Sequence, residues 1–300
     1  MADAKAPFSL KGRHVLITGG SKGIGYAIAT EAVKKGAKLV TLVARDVDAL
    51  RQAQDKCVEL ADKLGLAVTV QTISADLADP TSAIECLDRA VALRGLKRDS
   101  IAFSKCEEKE KEEEAPVEVF FCNAADVDPR PFCSMGNSNV QKTVAMNITT
   151  PFLQVKHILP SMLKRQFGAI CFTNSLAAFV PIYGFSTYSA TKSALKAFAE
   201  VINQEVAGMD VLVANAFLPS VNTPGYQREK QLTEILEETT KIKQPEEVAE
   251  RLVDHLEAGH RIITVDFEGW ICARLNAGFS RGAHDRYSTL NVYTVKEADS

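Results

Sequence analysis

Tyr188 and Lys192 stand four residues apart in the string Tyr188-Ser-Ala-Thr-Lys192. On a helix that spacing puts a phenol and an ammonium on one face. An ammonium beside a phenol favours the phenolate and lowers its pKa from about 10, so Tyr188 becomes a usable proton donor and acceptor. The pattern is common by chance, and its weight comes from its surroundings. Ser175 lies just past an apolar run, where a hydroxyl can orient a carbonyl. Asn147 sits farther upstream in a long helical pattern. Each alone would more often cap a helix or face solvent; the four in this order form a candidate acid–base site.

A second cluster suits a phosphate. Thr18-Gly19-Gly20-Ser21-Lys22-Gly23-Ile24-Gly25 follows the apolar run 14–18 and opens a helical pattern. Glycines allow a tight turn and let a pyrophosphate approach the backbone, and the helix N-terminus favours its charge. The spacing is G-x-x-x-G-x-G, and alone it could be a glycine-rich turn; the strand–turn–helix context favours a nucleotide. The next apolar run ends Leu42-Val43-Ala44-Arg45. A carboxylate at that strand end would bind a free ribose 2′-hydroxyl. Here Arg45 follows instead, and Lys22 could reach the same place, which favours NADP(H) over NAD. Asp76-Leu77, after the third run, is placed to contact the adenine.

These groups need a scaffold. Apolar runs at 14–18, 38–43, 67–73, 117–122, 168–173, 210–216 and 261–265 alternate with helical patterns near 24–35, 46–64, 80–93, 137–166, 188–207 and 245–258. Near-continuous apolar strands separated by helices predict an α/β fold. It is a doubly wound, Rossmann-type parallel sheet of seven strands with helices on both faces, in a single domain over 1–300. Residues 97–116 interrupt the pattern as a charged, solvated insertion, and 280–300 read as a polar tail. Residues 220–244 mix Tyr226, Leu232, Ile235 and Leu236 with many charges, as a substrate lid would, or as a plain amphipathic helix would.

Together these residues resemble the short-chain dehydrogenase/reductase family over about residues 12–265. The resemblance implies hydride transfer between a nicotinamide and a carbonyl or alcohol carbon. Tyr188 would be the acid/base, Lys192 would hold the ribose and tune it, Ser175 would polarise the carbonyl, and Asn147 would position a water relay behind Lys192. Cys122-Asn123-Ala124-Ala125 stands where the family has Asn-Asn-Ala-Gly; Asn123 remains for the cofactor, while Ala125 narrows the backbone's freedom. Thr223, within Phe217–Tyr226, is the natural contact for the carboxamide. The strings 41–45, 183–192 and 217–249 are most similar to the branch that reduces the 3-keto group of long-chain sphingoid bases with NADPH, on the cytosolic face of the endoplasmic reticulum. A homodimer or homotetramer built on the helices near 137–166 and 188–207 is implied as well. Two alternatives stay open: a reductase of another carbonyl, such as a 3-ketoacyl thioester or a steroid, and a non-catalytic NADPH-binding scaffold.

Composition narrows the classes. The net charge is −3 with a pI near 6.0, which argues against nucleic acid, whose phosphates need a cationic face. The negative balance rests on residues 107–114, six glutamates and two lysines; without them the chain would sum to +1. Seven scattered cysteines, with no C-x-x-C and no Cys/His run at ligand spacing, predict reduced thiols and no metal. No stretch reaches the ~18 apolar residues of a spanning helix. The most apolar piece near the C-terminus, Ile262–Phe279, is broken by Asp266, Glu268 and Arg274. A cytoplasmic chain with at most peripheral membrane contact is expected.

Overall fold

The computed structural model describes residues 8–92, 115–232 and 242–275. Each apolar run matches a strand, four of which (β2, β3, β5 and β6) continue one or two residues past it: β1 (His14–Thr18), β2 (Leu39–Ala44), β3 (Thr69–Ser74), β4 (Val119–Cys122), β5 (Gly168–Ser175), β6 (Val211–Leu218) and β7 (Ile262–Thr264). They form one parallel sheet in the order β3-β2-β1-β4-β5-β6-β7. Side chains alternate across it. Val15 and Ile17 of β1, with Val119 and Phe121 of β4, enter one core, whereas Leu16 and Phe120 enter the other. Because both faces are covered, the strands carry apolar residues at successive positions and not only at alternate ones.

The helices supply that cover. α1 (Gly23–Lys34), α2 (Val47–Leu64) and α8 (Pro245–Glu257) pack Ile28, Leu50 and Leu252 on one face. α3 (Pro80–Ala92), α5 (Thr150–Lys164) and α6 (Ser186–Glu205) pack Leu87, Ile158 and Leu195 on the other. Fully buried Phe120, Phe121 and Phe172 lie in the central strands, each worth about 1.5–3 kcal/mol of apolar burial. The strand order reverses between β1 and β4, so the connections leaving their C-terminal ends diverge. That divergence opens the crevice in which ligands of such sheets bind.

The pattern at 137–166 is not one continuous helix. α4 (Asn137–Val144) passes through a π-helical turn, Ala145–Thr149, before α5 begins. Pro151 has no N–H to give the Asn147 carbonyl, so the i→i−4 ladder cannot run straight through, and it widens where Asn147 must face inward.

Of the predicted lid, residues 220–232 and 242–244 are described. α7 (Pro224–Leu232) occupies the first part. The base of the segment is closed by a parallel bridge, Val221 to Lys243, with Asn222 N–H donating to the Lys243 carbonyl (2.8 Å). A helical segment over 267–275, not expected from the sequence, starts where the Asp266 carboxylate accepts from the Gly269 N–H (2.7 Å). The charged insertion lies outside the described residues except for Ala115 and Pro116, and the 280–300 tail lies outside them entirely.

Candidate active site

The glycine loop is held by bare-backbone contact. Gly19 N–H donates to the Val43 carbonyl (2.7 Å), which ties the loop to the end of β2. A Cβ on Gly25 would stand 2.2 Å from the Gly19 carbonyl oxygen and 2.6 Å from Asn123 Nδ2, so only glycine fits. Gly19 and Gly23 have φ of +67° and +57°, in the left-handed region. α1 then begins without a side-chain cap and without an acid in its first turn, leaving its N-terminal N–H groups for an anion. Ser21 and Ile24 are partly exposed on this turn.

Across the crevice, the Thr18 hydroxyl accepts from the N–H groups of Asn123 (2.9 Å) and Ala124 (3.1 Å), and Asn123 Nδ2 donates to the Thr18 carbonyl (2.9 Å). The loops after β1 and β4 are thus stitched together. Ala125 lines the cavity between them, and its φ is not positive, so the missing glycine imposes no left-handed strain here.

At the far end of the loop the two cations differ. Lys22 is ion-paired with Asp46 (2.9 Å), whose other oxygen caps α2 at Ala49. The acid next to Arg45 therefore already holds the lysine that was expected to reach a ribose phosphate. Arg45 is exposed and has no ion pair among the described residues. Asp76 is exposed as well, whereas the Leu77 side chain turns into the core and its carbonyl accepts from Thr150. Leu77 can contact a ligand only through its backbone.

A cavity of about 470 Å³ opens from this crevice along the ends of β5 and β6. Ser175, Tyr188 and Lys192 line it, with Asn123, Ile24 and Thr223 at the end nearest the glycine loop. Ser175 ends β5 and its hydroxyl accepts from the Ala177 N–H (3.1 Å). The same side chain lies close enough to the Tyr188 phenol to lower its pKa, which brings two of the four predicted groups together on the cavity wall. Thr223 starts α7, its hydroxyl accepting from Tyr226 N–H (3.0 Å), and its methyl group faces Gly23.

The tyrosine does not behave as the four-residue spacing suggested. Enclosure by protein pushes the Tyr188 phenol well above its ordinary value, the Glu229 charge pushes it further, and only the Ser175 hydroxyl pulls it down. Lys192 does not offset this. Its ammonium donates to the Thr173 carbonyl (2.8 Å) and lies 5.6 Å from the centre of the Tyr188 ring. Burial lowers Lys192 itself to about 8, opposed by the Cys122 thiol.

Asn147 is buried behind this pair and away from the cavity wall. Its side-chain oxygen accepts from Asp126 N–H (2.8 Å), and its amide donates to the Asp126 carbonyl (2.9 Å) and Thr191 Oγ1 (3.0 Å). It clamps the loop after β4 to the residue preceding Lys192. Several contributors had no motif to mark them. Thr173 supplies the carbonyl for Lys192, and its own hydroxyl is buried without a partner among the described residues. Asn174 bonds the Lys192 carbonyl (3.1 Å) and the Ser175 N–H (2.8 Å). Glu229, half-buried on α7, stands in the sequence among the many charges of 220–244; burial raises its carboxyl to about 7.

This chain is similar to reductases of known function along most of its length. It is 29% identical to the 3-ketodihydrosphingosine reductase of Bos taurus, over 91% of this chain and 77% of that one. It is 30% identical to a 3-dehydrosphinganine reductase of Arabidopsis thaliana, over 95% and 81%. In fold it matches a short-chain dehydrogenase of Sphingobium yanoikuyae solved with NADPH, at a TM-score of 0.72 and 19% identity, covering 96% of this chain and 98% of that one. The family model for short chain dehydrogenases matches residues 13–96 and 89–233, and the chain therefore belongs to the short chain dehydrogenase family.

Proposed function

We propose that this protein is an NADPH-dependent reductase that converts the 3-keto group of 3-ketodihydrosphingosine to the alcohol. The observation that carries the chemistry is that Ser175, Tyr188 and Lys192 line one cavity, which continues to Ile24 and Asn123 beside the glycine cradle. The substrate class is supported by the bovine and plant relatives, which match over more than nine-tenths of this chain.

The residues fit a dinucleotide. Gly19, Ser21, Gly23, Ile24 and Gly25 present the uncapped N-terminus of α1, and a Cβ at Gly25 would fill the cradle. Arg45 would take a ribose phosphate, with Lys22 shared with Asp46; Asp76 and the Leu77 backbone would flank the adenine. Asn123, Thr223, Tyr188 and Lys192 would hold the nicotinamide half. The bound nicotinamide supplies the hydride that reduces the carbonyl carbon.

The chain's own residues do the rest. Ser175 Oγ donates to the carbonyl oxygen and aligns it with the tyrosine. Tyr188 Oη gives that oxygen its proton, completing the alcohol. A phenol held high in pKa keeps its proton until the oxygen becomes basic. Lys192, anchored on Thr173, places an ammonium where the resulting phenolate needs one. Asn147 holds Thr191 and the loop after β4 in register, and a water relay behind Lys192 would return the proton.

α7 would act as the lid over the acyl chain, with Tyr226 buried at its root. Among the described residues no helix is long and apolar enough to cross a membrane. Peripheral access from the cytosolic face of the endoplasmic reticulum, and a homodimer or homotetramer through α4, α5 and α6, belong to the same reading. Purified protein given NADPH and 3-ketodihydrosphingosine should consume the cofactor. No turnover above a Tyr188→Phe control would overturn the proposal.

A further inference from the structure

The cavity wall holds an acid that this mechanism does not use. Among the described residues, three charged ones line the cavity: Lys192, Glu229 and Glu268. Lys192 is committed to the Thr173 carbonyl. Glu268 is exposed, whereas Glu229 is half-buried on α7. Among the described residues no cation pairs with Glu229.

Its position is set from two sides. Thr223 caps the start of α7, and Tyr226, one helical turn before Glu229, is buried. Glu229 therefore projects from the same side of the helix as its anchor, into the space that Tyr188 faces. Its charge reaches the phenol, one of the two influences that hold Tyr188 high. A carboxylate kept partly out of water without a counter-ion is costly unless a ligand supplies the missing charge.

We propose that Glu229 is the ammonium acceptor of the substrate site, taking the charged amine of a ketone whose amino group sits on the carbon beside the carbonyl. This rests on the reductase reading above and deepens it. The reacting carbonyl must lie at Ser175 and Tyr188, so an amine one carbon away sits in the same cavity that Glu229 lines. The ion pair restores the charge that burial suppresses on Glu229. It also cancels the field that disfavours the Tyr188 phenolate, so the correct substrate eases its own proton transfer. A thioester on an anionic carrier meets two carboxylates instead, and a neutral ring ketone gains nothing from either.

The test uses decylammonium and decanol, which share a chain and differ in charge, titrated calorimetrically into the NADPH-saturated protein. Wild type should bind the ammonium at least about tenfold more tightly. Glu229→Gln should bring the two affinities together, and Glu229→Asp, which keeps the charge, should retain part of the preference. Equal affinities in wild type, or a preference that survives Glu229→Gln, would overturn the assignment. Turnover of a long-chain 2-amino ketone is measured alongside. Its absence in a protein that keeps the ammonium preference rejects the sphingoid substrate while the role of Glu229 stands.

Discussion

The Lys192 ammonium is bonded to the main-chain carbonyl of Thr173, 2.8 Å away on the strand that ends in Ser175. The contact ties the middle of α6 to β5 and holds a cation where only 3% of the residue reaches solvent. One carbonyl does not replace the lost water, and the side chain falls from its ordinary 10.5 to about 8.

That shift predicts a pH dependence of stability. Between about pH 8 and 10.5 the unfolded chain binds a proton on Lys192 that the folded chain does not. Stability attributable to this residue therefore rises with pH across that window and is at its lowest below it. Urea unfolding of the cofactor-free protein should show wild type gaining about 2 kcal/mol relative to Lys192→Met between pH 7 and pH 9.5. Parallel curves for the two proteins would mean that Lys192 is better solvated than its burial implies.

The pairing of Ser175 with Tyr188 on the cavity wall predicts how the two substitutions differ. Tyr188→Phe removes the proton donor and should lower kcat by about 10²–10⁴-fold, with a far smaller loss of NADPH affinity in a fluorescence titration. Ser175→Ala removes the one influence that lowers the phenol, so in the alcohol-oxidation direction its pH–rate limb should move to higher pH. It also removes the cap on the 176–178 turn, at a cost of about 1 kcal/mol. A limb that stays in place would separate Ser175 from the tuning of Tyr188.

The packing of the cradle separates two small substitutions. Gly25→Ala places a methyl group 2.2 Å from the Gly19 carbonyl oxygen, a distance no rotamer relieves. It should abolish NADPH binding in a titration and lower the melting temperature. Ala125→Gly restores the family residue at a position without left-handed strain, so NADPH affinity should change less than about threefold and stability by about 0.5–1 kcal/mol at most.

The scaffold was legible because its signals are local and redundant. β1 and β4 are apolar at successive positions, and each is followed by the turn that addresses the crevice. That Tyr188, Lys192 and Ser175 would come to one cavity was legible for the same reason, since helix period and strand ends place them. What escaped depends on contacts between distant segments. Nothing near Lys22 announces that Asp46 will hold it, and a main-chain carbonyl such as that of Thr173 leaves no mark in residue types. The π turn at Asn147 did have a signal in Pro151, four residues on. Glu229 was hidden among the charges of 220–244 because its burial is decided by how α7 lies on the cavity. The direction of the Tyr188 shift was misread for the same reason: four-residue spacing brings an ammonium near, but enclosure and the Glu229 charge outweigh it.

The Lys22–Asp46 pair makes the cofactor preference a test of Arg45 in particular. Arg45 is the exposed guanidinium at the end of β2 without an ion pair among the described residues, whereas Lys22 is already paired with Asp46. Arg45→Asp replaces a phosphate partner with a carboxylate suited to a free 2′-hydroxyl. The ratio of kcat/KM for NADPH over NADH should fall by about 10²-fold, roughly 2.7 kcal/mol. Lys22→Ala should lower that ratio by less, because that cation is already paired with Asp46. Asp46→Asn should raise NADPH affinity by freeing Lys22, with a modest loss of stability from the weakened cap on α2. If Lys22→Ala proves the more damaging of the two cation changes, then the ion pair opens when cofactor binds and Lys22, not Arg45, is the main phosphate contact.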